Sequence, residues 1–232
     1  MRIPLTRYGL PQVLIFPLIT LALMAAFFIV FGPALWLIPV EAALLLIFCW
    51  LLSFFRDPRR DIVQDEALLY SPADATITEI TVVDREELGG KALKISMFLS
   101  IFNVHVNRLP CSVRIDKVVY KKGQFRNAMS PDASRVNESN DVYMTRLCEP
   151  KDSLLVRQIT GAVARRIVCE VKENSEYRQG ETYGMMKFGS RAELYLPAGK
   201  GNMKQGFEKF ELCVKTGDPV RAGLSPLVRY LS

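Results

Sequence analysis

Three side chains that could act together chemically stand far apart in this chain. They are Asp74 within SPAD, His105 within FNVHVNR and Ser190 within FGSR. His105 is the single histidine, so any proton transfer by an imidazole near neutral pH must use it. A carboxylate can orient an imidazole, which can activate a serine hydroxyl, and such triads are defined by geometry rather than by chain order. These residues therefore indicate an activated serine.

The dipeptide Gly189-Ser190 suits self-cleavage as well as an ordinary tight turn. Glycine has no side chain to hinder attack on its carbonyl, and it tolerates strained backbone angles. The hydroxyl of Ser190 can reach the carbonyl of the residue before it. The dipeptide alone does not decide between the two interpretations.

The segments around these residues are typical of strands joined by short turns. Alternating and β-branched patterns predict a mainly β domain. One longer polar stretch, at residues 123–141, is rich in Asn and Ser and is expected to be a functional loop. Strands are expected at residues 75–84, 94–99, 111–120, 142–147, 153–159, 164–171, 192–196 and 210–215.

A short internal repeat refines the expected fold. The spacing of Val, Lys, Arg and Gly at residues 171–180 is the same as that at residues 214–223. Each copy resembles the hairpins of lipoyl- and biotinyl-type domains. The repeat therefore predicts a barrel-like β-sandwich with lipoyl/biotinyl-like hairpins.

The N-terminal part of the chain has a different character. Residues 13–55 are almost continuously apolar, and Glu41 is their only charge. A membrane helix needs about 20 apolar residues, so this run is long enough for two transmembrane helices, at about 13–31 and 34–55. We expect a membrane anchor at residues 1–60 and a catalytic β-rich domain at residues 61–232.

The distribution of charged residues indicates on which side of a membrane the β-rich domain lies and which partners it could bind. Basic residues lie on both flanks of the apolar run, which favours the cytoplasmic side of the cell (inner) membrane. They are Arg2 and Arg7 before the first apolar segment and Arg56, Arg59 and Arg60 after the second. The net charge of +6 then fits an anionic membrane better than nucleic acid, because no basic run is interleaved with aromatic residues. The five cysteines form no C-x-x-C pair, so we expect reduced thiols and no metal site.

Several ordered segments together are far more specific than any one of them. They are FFRDP at residues 54–58, SPAD at 71–74, FNVHVNRLP at 102–110, KFGSRAELYLP at 187–197 and, as a less specific member, NESN at 137–140. With these segments the chain resembles the phosphatidylserine decarboxylases, in their short bacterial and archaeal form, over nearly its whole length.

The resemblance implies a pyruvoyl-dependent mechanism. The proenzyme would cut itself between Gly189 and Ser190 by serinolysis, with His105 as base and Asp74 orienting it. Ser190 would become a pyruvoyl group that forms a Schiff base with the amine of phosphatidylserine. Loss of carbon dioxide would then yield phosphatidylethanolamine. A β chain, 1–189, and an α chain, 190–232, would remain together as a heterodimer, alone or as a dimer of such pairs.

The chain also departs from the family pattern. Long members carry two nearby histidines, so His105 is expected to serve both maturation and decarboxylation. Ser139 stands where relatives often have Arg, and Arg108 and Arg191 are the candidates to replace that charge. The residues beside it, Asn137 and Glu138, complete the substrate-binding candidates. Ala75 replaces a Gly that many relatives have after the Asp.

Other classes of protein remain open from the residues alone. A membrane-anchored serine hydrolase would use the same Asp74, His105 and Ser190, but its chain would stay intact. A carrier-type β-sandwich module would carry its covalent modification on Lys187. The ordinary interpretation of that residue is a solvated lysine at a strand end. A purely structural membrane protein would leave the clustered segments unexplained, and pyridoxal-dependent decarboxylases generally need a larger α/β domain.

Overall fold

The computed structural model describes residues 5–10, 12–162, 166–187, 189–199, 201–203 and 206–231. The chain divides into two compact units, Met1–Arg59 and Arg60–Ser232. The first unit is helical and the second is mainly β, so both parts of the expected fold class are confirmed at this level.

Two apolar helices make up most of the first unit. Helix α1 spans Gln12–Phe31 and α2 spans Leu37–Phe54, with mean hydropathies of 2.8 and 2.3. Both are long and apolar enough to cross a membrane. Gly32 ends α1 with a φ of +63°, and its N–H bonds the Phe28 carbonyl. The second helix begins at Leu37, three residues later than expected.

The second unit contains one very short helix, α3 at Ala133–Val136, and many strands. The strands are β1 Leu68–Tyr70, β2 Ala75–Arg85, β3 Gly90–Leu99, β4 Val106–Arg108, β5 Val113–Lys121, β6 Ser139–Arg146, β7 Ser153–Ile159, β8 Ile167–Cys169, β9 Glu176–Tyr177, β10 Thr182–Met186, β11 Ser190–Pro197, β12 Gly201–Asn202, β13 Gly206–Phe207, β14 Phe210–Leu212, β15 Pro219–Val220 and β16 Pro226–Tyr230.

These strands form antiparallel sheets. The largest has eight strands in the order β15-β2-β3-β11-β7-β6-β5-β9. Two three-stranded sheets have the orders β1-β16-β14 and β4-β10-β8, and β12 pairs with β13. Strand β11 lies near the middle of the largest sheet, hydrogen-bonded to β3 on one side and to β7 on the other.

Side chains of β11 alternate between the two faces of this sheet, as the pleat requires. Ala192 and Leu194 belong to the main apolar core, together with Leu93, Ile95 and Val156. The residues that alternate with them along the strand, Glu193 and Tyr195, point to the opposite face. There Tyr195 packs in a second, smaller cluster. The strand is buried on both faces, which fixes its register firmly.

The large sheet curls so that its two edges approach each other. The edge strands β9 and β15 each lead, three residues on, to a glycine with positive φ, at Gly180 and Gly223. Both glycines pack closely against the same side chain, that of Ile62. A Cβ at Gly180 would overlap this side chain, so the approach of the edges requires glycine there.

The internal repeat supplies these two edges rather than two hairpins. Each copy holds one two-residue strand, which pairs with β5 in the first copy and with β2 in the second. The lipoyl/biotinyl-like hairpins are therefore not confirmed.

The predicted strands are correct in position for most of the sheet, and β7 is predicted at its observed limits. The expected loop at residues 123–141 is wrong at its end, because β6 begins at Ser139 and is paired on both sides. Pairing with neighbours outweighs the low strand propensity of Asn and Asp. The strand expected at residues 164–171 is shortened to Ile167–Cys169, and residues 164 and 165 lie outside the described residues.

We expect Leu194→Ala to lower the free energy of unfolding by about 2–5 kcal/mol, because it leaves a cavity at the centre of the buried sheet. Val63 is 71% exposed, so Val63→Ala should change the free energy of unfolding little. Denaturant unfolding of the detergent-solubilised chain measures both. Equal stability of the two variants would contradict the assignment of β11 to the core.

Candidate active site

Ser190 is the first residue of β11 and is fully buried. Strand pairing places it opposite Leu99 at the end of β3. Its Oγ makes no hydrogen bond with any residue that the structure describes. Leaving a buried hydroxyl unsatisfied costs about 1–3 kcal/mol, so such a group calls for a functional or structural reason.

The residue before Ser190 has an unusual backbone. Gly189 adopts a φ of +62°, in the left-handed region that favours glycine. Its carbonyl oxygen packs directly against Gly161, where an added Cβ would overlap that oxygen. The carbonyl next to the serine is thus held by a close backbone contact that only glycine at position 161 permits.

His105 is brought to the same region by strand pairing. It immediately precedes β4, and its carbonyl accepts a hydrogen bond from the Met186 N–H (3.2 Å), at the end of β10. Its buried ring donates from Nδ1 to the Asn103 carbonyl (2.9 Å). Because a carbonyl can only accept, Nδ1 carries a proton, and in the neutral ring Nε2 is the basic nitrogen.

Asp74 has other partners than the imidazole. Its two carboxylate oxygens accept hydrogen bonds from Arg60, each at 2.7 Å, and one also accepts from the Ala222 N–H at 2.7 Å. Arg60 was expected to belong to a basic membrane flank, but its side chain is only 5% exposed and closes this ion pair. The role of Asp74 in orienting His105 stays a prediction, and Asn103 is the group that contacts Nδ1.

A buried chain of amides joins three of the sequence segments. Asn107, two residues after His105, donates to the Pro72 carbonyl (3.4 Å) and accepts from Gln158 (2.8 Å). Gln158 in turn accepts from Asn140 (3.0 Å). All three amides are essentially inaccessible to solvent. Buried, satisfied polar networks of this kind fix the relative position of the segments they join.

Asn137 and Glu138 also fix the backbone near the serine. The Asn137 amide donates to the carbonyls of Thr160 and Arg126, both at 2.8 Å. The Glu138 carbonyl accepts from the N–H and hydroxyl of Thr160. Both residues therefore position the chain beside Gly161. Their role in binding substrate is untested.

The two arginine candidates lie in different places. Arg108 donates to the Gly180 carbonyl (3.2 Å), near the curled edge of the sheet. Arg191 projects from the face of β11 opposite to that of Ser190. There it contacts Ser96 (3.1 Å) and Glu193 (3.0 Å). Arg191 also lines a cavity of about 460 Å³ on that face.

Lys187 is not the solvated lysine that the sequence indicated, because it is only 5% exposed. Burial lowers the pKa of its ammonium group, and the nearby Arg166 lowers this pKa further. A carrier lysine must reach solvent to be modified, so this placement counts against the carrier-type module. Phe188, between Lys187 and Gly189, lies outside the described residues.

Sequence reasoning missed three residues of the site. Asn103 lies within a segment that was singled out, and its proximity to His105 in the chain was the available signal. Arg60 was assigned to a membrane flank because it follows other arginines. Gly161 had no signal, because a close contact between distant backbone segments is visible only in three dimensions.

These features define a class of protein: an enzyme with a buried serine and imidazole in a β-rich domain, in a chain that also carries two apolar helices. Comparison with known proteins gives the family. The chain belongs to the phosphatidylserine decarboxylase family, whose sequence profile matches residues 47–227.

Individual relatives agree with this assignment. The chain is 36% identical to a phosphatidylserine decarboxylase proenzyme of Syntrophus aciditrophicus, over 96% of each protein. It is 41% identical to that of Pelagibacter ubique, over 78% of this chain and 80% of the relative. It is 35% identical to that of Rhodopirellula baltica, over 98% of this chain and 89% of the relative.

We expect Asp74→Asn and Arg60→Met each to lower the free energy of unfolding by about 3 kcal/mol, because each leaves one partner of a buried ion pair uncompensated. The double variant should be little worse than either single variant. Asp132→Asn is the control, because its pair with Arg135 is exposed and should contribute less than about 1 kcal/mol. Denaturant unfolding at neutral pH measures all four variants, and strictly additive losses would show that the pair is not coupled.

Proposed function

We propose that this chain is the proenzyme of a phosphatidylserine decarboxylase that cuts itself between Gly189 and Ser190. The observation that carries the proposal is the buried Ser190 hydroxyl, without a described hydrogen-bond partner, directly after a left-handed Gly189 whose carbonyl is packed against Gly161. The hydroxyl is closed to solvent, and the acyl group of Gly189 is bonded to the nitrogen of the same serine. Membership of the family supports the same reaction.

Cleavage begins with attack within the chain. His105 Nε2 takes the proton of the Ser190 hydroxyl as the oxygen attacks the Gly189 carbonyl carbon. The peptide C–N bond breaks, the Ser190 nitrogen receives a proton, and the amide has become an ester. The Asn103 carbonyl keeps the proton on Nδ1, so that Nε2 is the nitrogen that acts.

Elimination then separates the chains. Removal of the Ser190 Cα proton breaks the Cβ–O bond and releases the Gly189 carboxylate. The dehydroalanine left at position 190 rearranges to an imine, and water replaces its nitrogen, which leaves as ammonia. Position 190 becomes a pyruvoyl group, at the amino end of the α chain.

The residues present fit such a group, because it forms from Ser190 in place and none of the residues that the structure describes hydrogen-bonds the original hydroxyl. Such a group would supply an electrophilic ketone for the substrate amine and an electron sink for the pair released with carbon dioxide. His105 is the residue that we expect to return a proton to the decarboxylated carbon. It immediately precedes β4, and its carbonyl accepts a hydrogen bond from the Met186 N–H, four residues before position 190.

The two chains would stay together after the cut. Strand β11 is held by β3 and β7, which both belong to the β chain, and its apolar residues lie in the main core. The C-terminal strand β16 pairs with β1, also in the β chain. We propose a heterodimer of residues 1–189 and 190–232.

The apolar helices suit a substrate whose acyl chains stay in a bilayer. We propose that α1 and α2 cross the cell membrane and that the β-rich domain faces the cytoplasm, where the basic flanks favour it. Of the two arginine candidates, Arg108 is the one that we propose for the headgroup. Arg191 projects from the face of β11 opposite to that of Ser190. Asn137 and Glu138 would act by holding the backbone around position 161.

Intact mass spectrometry tests the proposal directly. The purified chain should give two components, with the smaller lighter by one ammonia than a peptide that begins with unmodified Ser190. Ser190→Ala and His105→Ala should each give one uncut chain, because the first lacks the nucleophile and the second lacks the base. Ser153→Ala, at the exposed start of β7, is the control and should split normally. An active enzyme with an unbroken chain would refute the proposal.

Gly161→Ala should slow the cleavage by roughly 100-fold or more, because a methyl group there displaces the Gly189 carbonyl from the attacking oxygen. Hydroxylamine cleaves esters, so it separates two cases. If the amide-to-ester step is blocked, hydroxylamine will not split the variant; if only the elimination is blocked, it will. A time course on gels measures the rate of cleavage and the fraction of chain that hydroxylamine splits.

The control for that variant is Gly89→Ala, at the turn between β2 and β3. It also replaces a glycine, with a φ of +84°, but an added Cβ meets no atom within 4 Å. It should be cut at the normal rate despite its backbone cost. A Gly161→Ala chain that unfolds normally and cleaves as fast as the unmodified chain would remove Gly161 from the mechanism.

A further inference from the structure

Large apolar side chains are exposed in two loops near the proposed cleavage bond. Phe102 is 69% exposed and Ile101 is 39% exposed, in the turn after β3. Met129 is 61% exposed and Phe125 is 39% exposed, in the segment between β5 and α3. We name these four side chains the rim. Burying side chains of this kind is favourable, so a cluster on the surface points to a binding function.

Contacts between backbone segments place both loops beside position 189. Ile101 Cγ2 lies 3.7 Å from the point where a Cβ on Gly189 would be. On the other side, Gly161 contacts the Gly189 carbonyl, and the Ala128 Cβ lies 3.3 Å from the Cβ point of Gly161. Ala128 directly precedes Met129. Both loops therefore reach the residue before the cleavage bond, the first directly through Ile101 and the second through Ala128 and Gly161.

The second loop is also basic when its flanking residues in β5 and α3 are included. Residues 121–135 contain two lysines and two arginines, all exposed, and Asp132 is their only acidic residue. Basic side chains interleaved with exposed Phe and Met are typical of segments that lie in the headgroup region of an anionic bilayer. Long basic side chains can reach phosphates while the apolar groups enter the acyl boundary.

We propose that the rim inserts into the surface of an anionic phospholipid bilayer, and that this contact delivers the lipid headgroup to position 190. The inference rests on the proposed function, and it deepens that function by naming the surface that receives the substrate. A bilayer fits the rim because the pattern is both apolar and cationic, and because a diacyl substrate must keep its chains in the membrane.

The test compares two forms of one substrate with the full-length chain. Phe102→Ser combined with Met129→Ser should lower kcat/KM roughly tenfold on phosphatidylserine in phosphatidylcholine vesicles, because two apolar anchors are lost. The loss should lie in KM. On a short-chain phosphatidylserine dispersed as monomers, the same variant should match the unmodified enzyme. Leu231→Ser, at an exposed apolar position elsewhere, should act normally on both substrates.

A charge variant tests the cationic part of the surface. We expect phosphatidylglycerol in the vesicles to stimulate the unmodified enzyme. Lys122→Glu combined with Arg126→Glu should remove this stimulation, because the attraction to anionic lipid is reversed. Mass spectrometry should show that every variant is cut normally.

The outcomes separate the two proposals. If the unmodified enzyme acts on neither substrate form, the proposed function fails. If it acts on both and the rim variant keeps its full rate on vesicles, the rim is not a membrane contact. Equal loss on vesicles and monomers would place the effect in the active site, and that result would also overturn the inference. The inference would also be overturned if the rim variant kept its full rate on vesicles but changed its oligomeric state. That result would assign the rim to contact with a second copy of the chain.

Discussion

The close packing of the Gly189 carbonyl against Gly161 is the contact on which the rest of this site depends. Strand β10 ends at Met186, in a small sheet, and β11 begins at Ser190, in the large one. Each of these strands is paired with neighbours in its own sheet. A left-handed glycine makes the crossing, and the serine that follows is buried without a described partner for its hydroxyl.

Polar groups inside a β domain usually cost stability, and this chain satisfies them in a pattern that also builds the site. The amides of Asn107, Gln158 and Asn140 bond one another in a row. The Asn137 amide fixes the Thr160 carbonyl, next to Gly161. These residues come from segments far apart in the chain, so the site cannot form before the large sheet does. This dependence would keep a self-cleavage reaction from starting in a partly folded chain.

Much of the β fold could be predicted from the sequence, because alternation of apolar residues is a local signal. Strand β7 and most of β2 and β11 were found in this way. The start of β6 was not, because Ser139 and Asn140 form strand only through partners on both sides. The partners of Asp74 and the burial of Lys187 were hidden for the same reason: a charge in a sequence does not show what it will pack against.

The position of the proposed break explains how the domain could survive it. The Gly189–Ser190 bond lies just before the first residue of β11, so cutting it removes none of that strand's pairs with β3 and β7. The same bond lies after β10 has ended, so the small sheet keeps its pairs as well. A cut in the middle of either strand would split a buried ladder and expose unpaired backbone groups. A bond between two sheets is therefore the place where a chain can lose its continuity and keep its core.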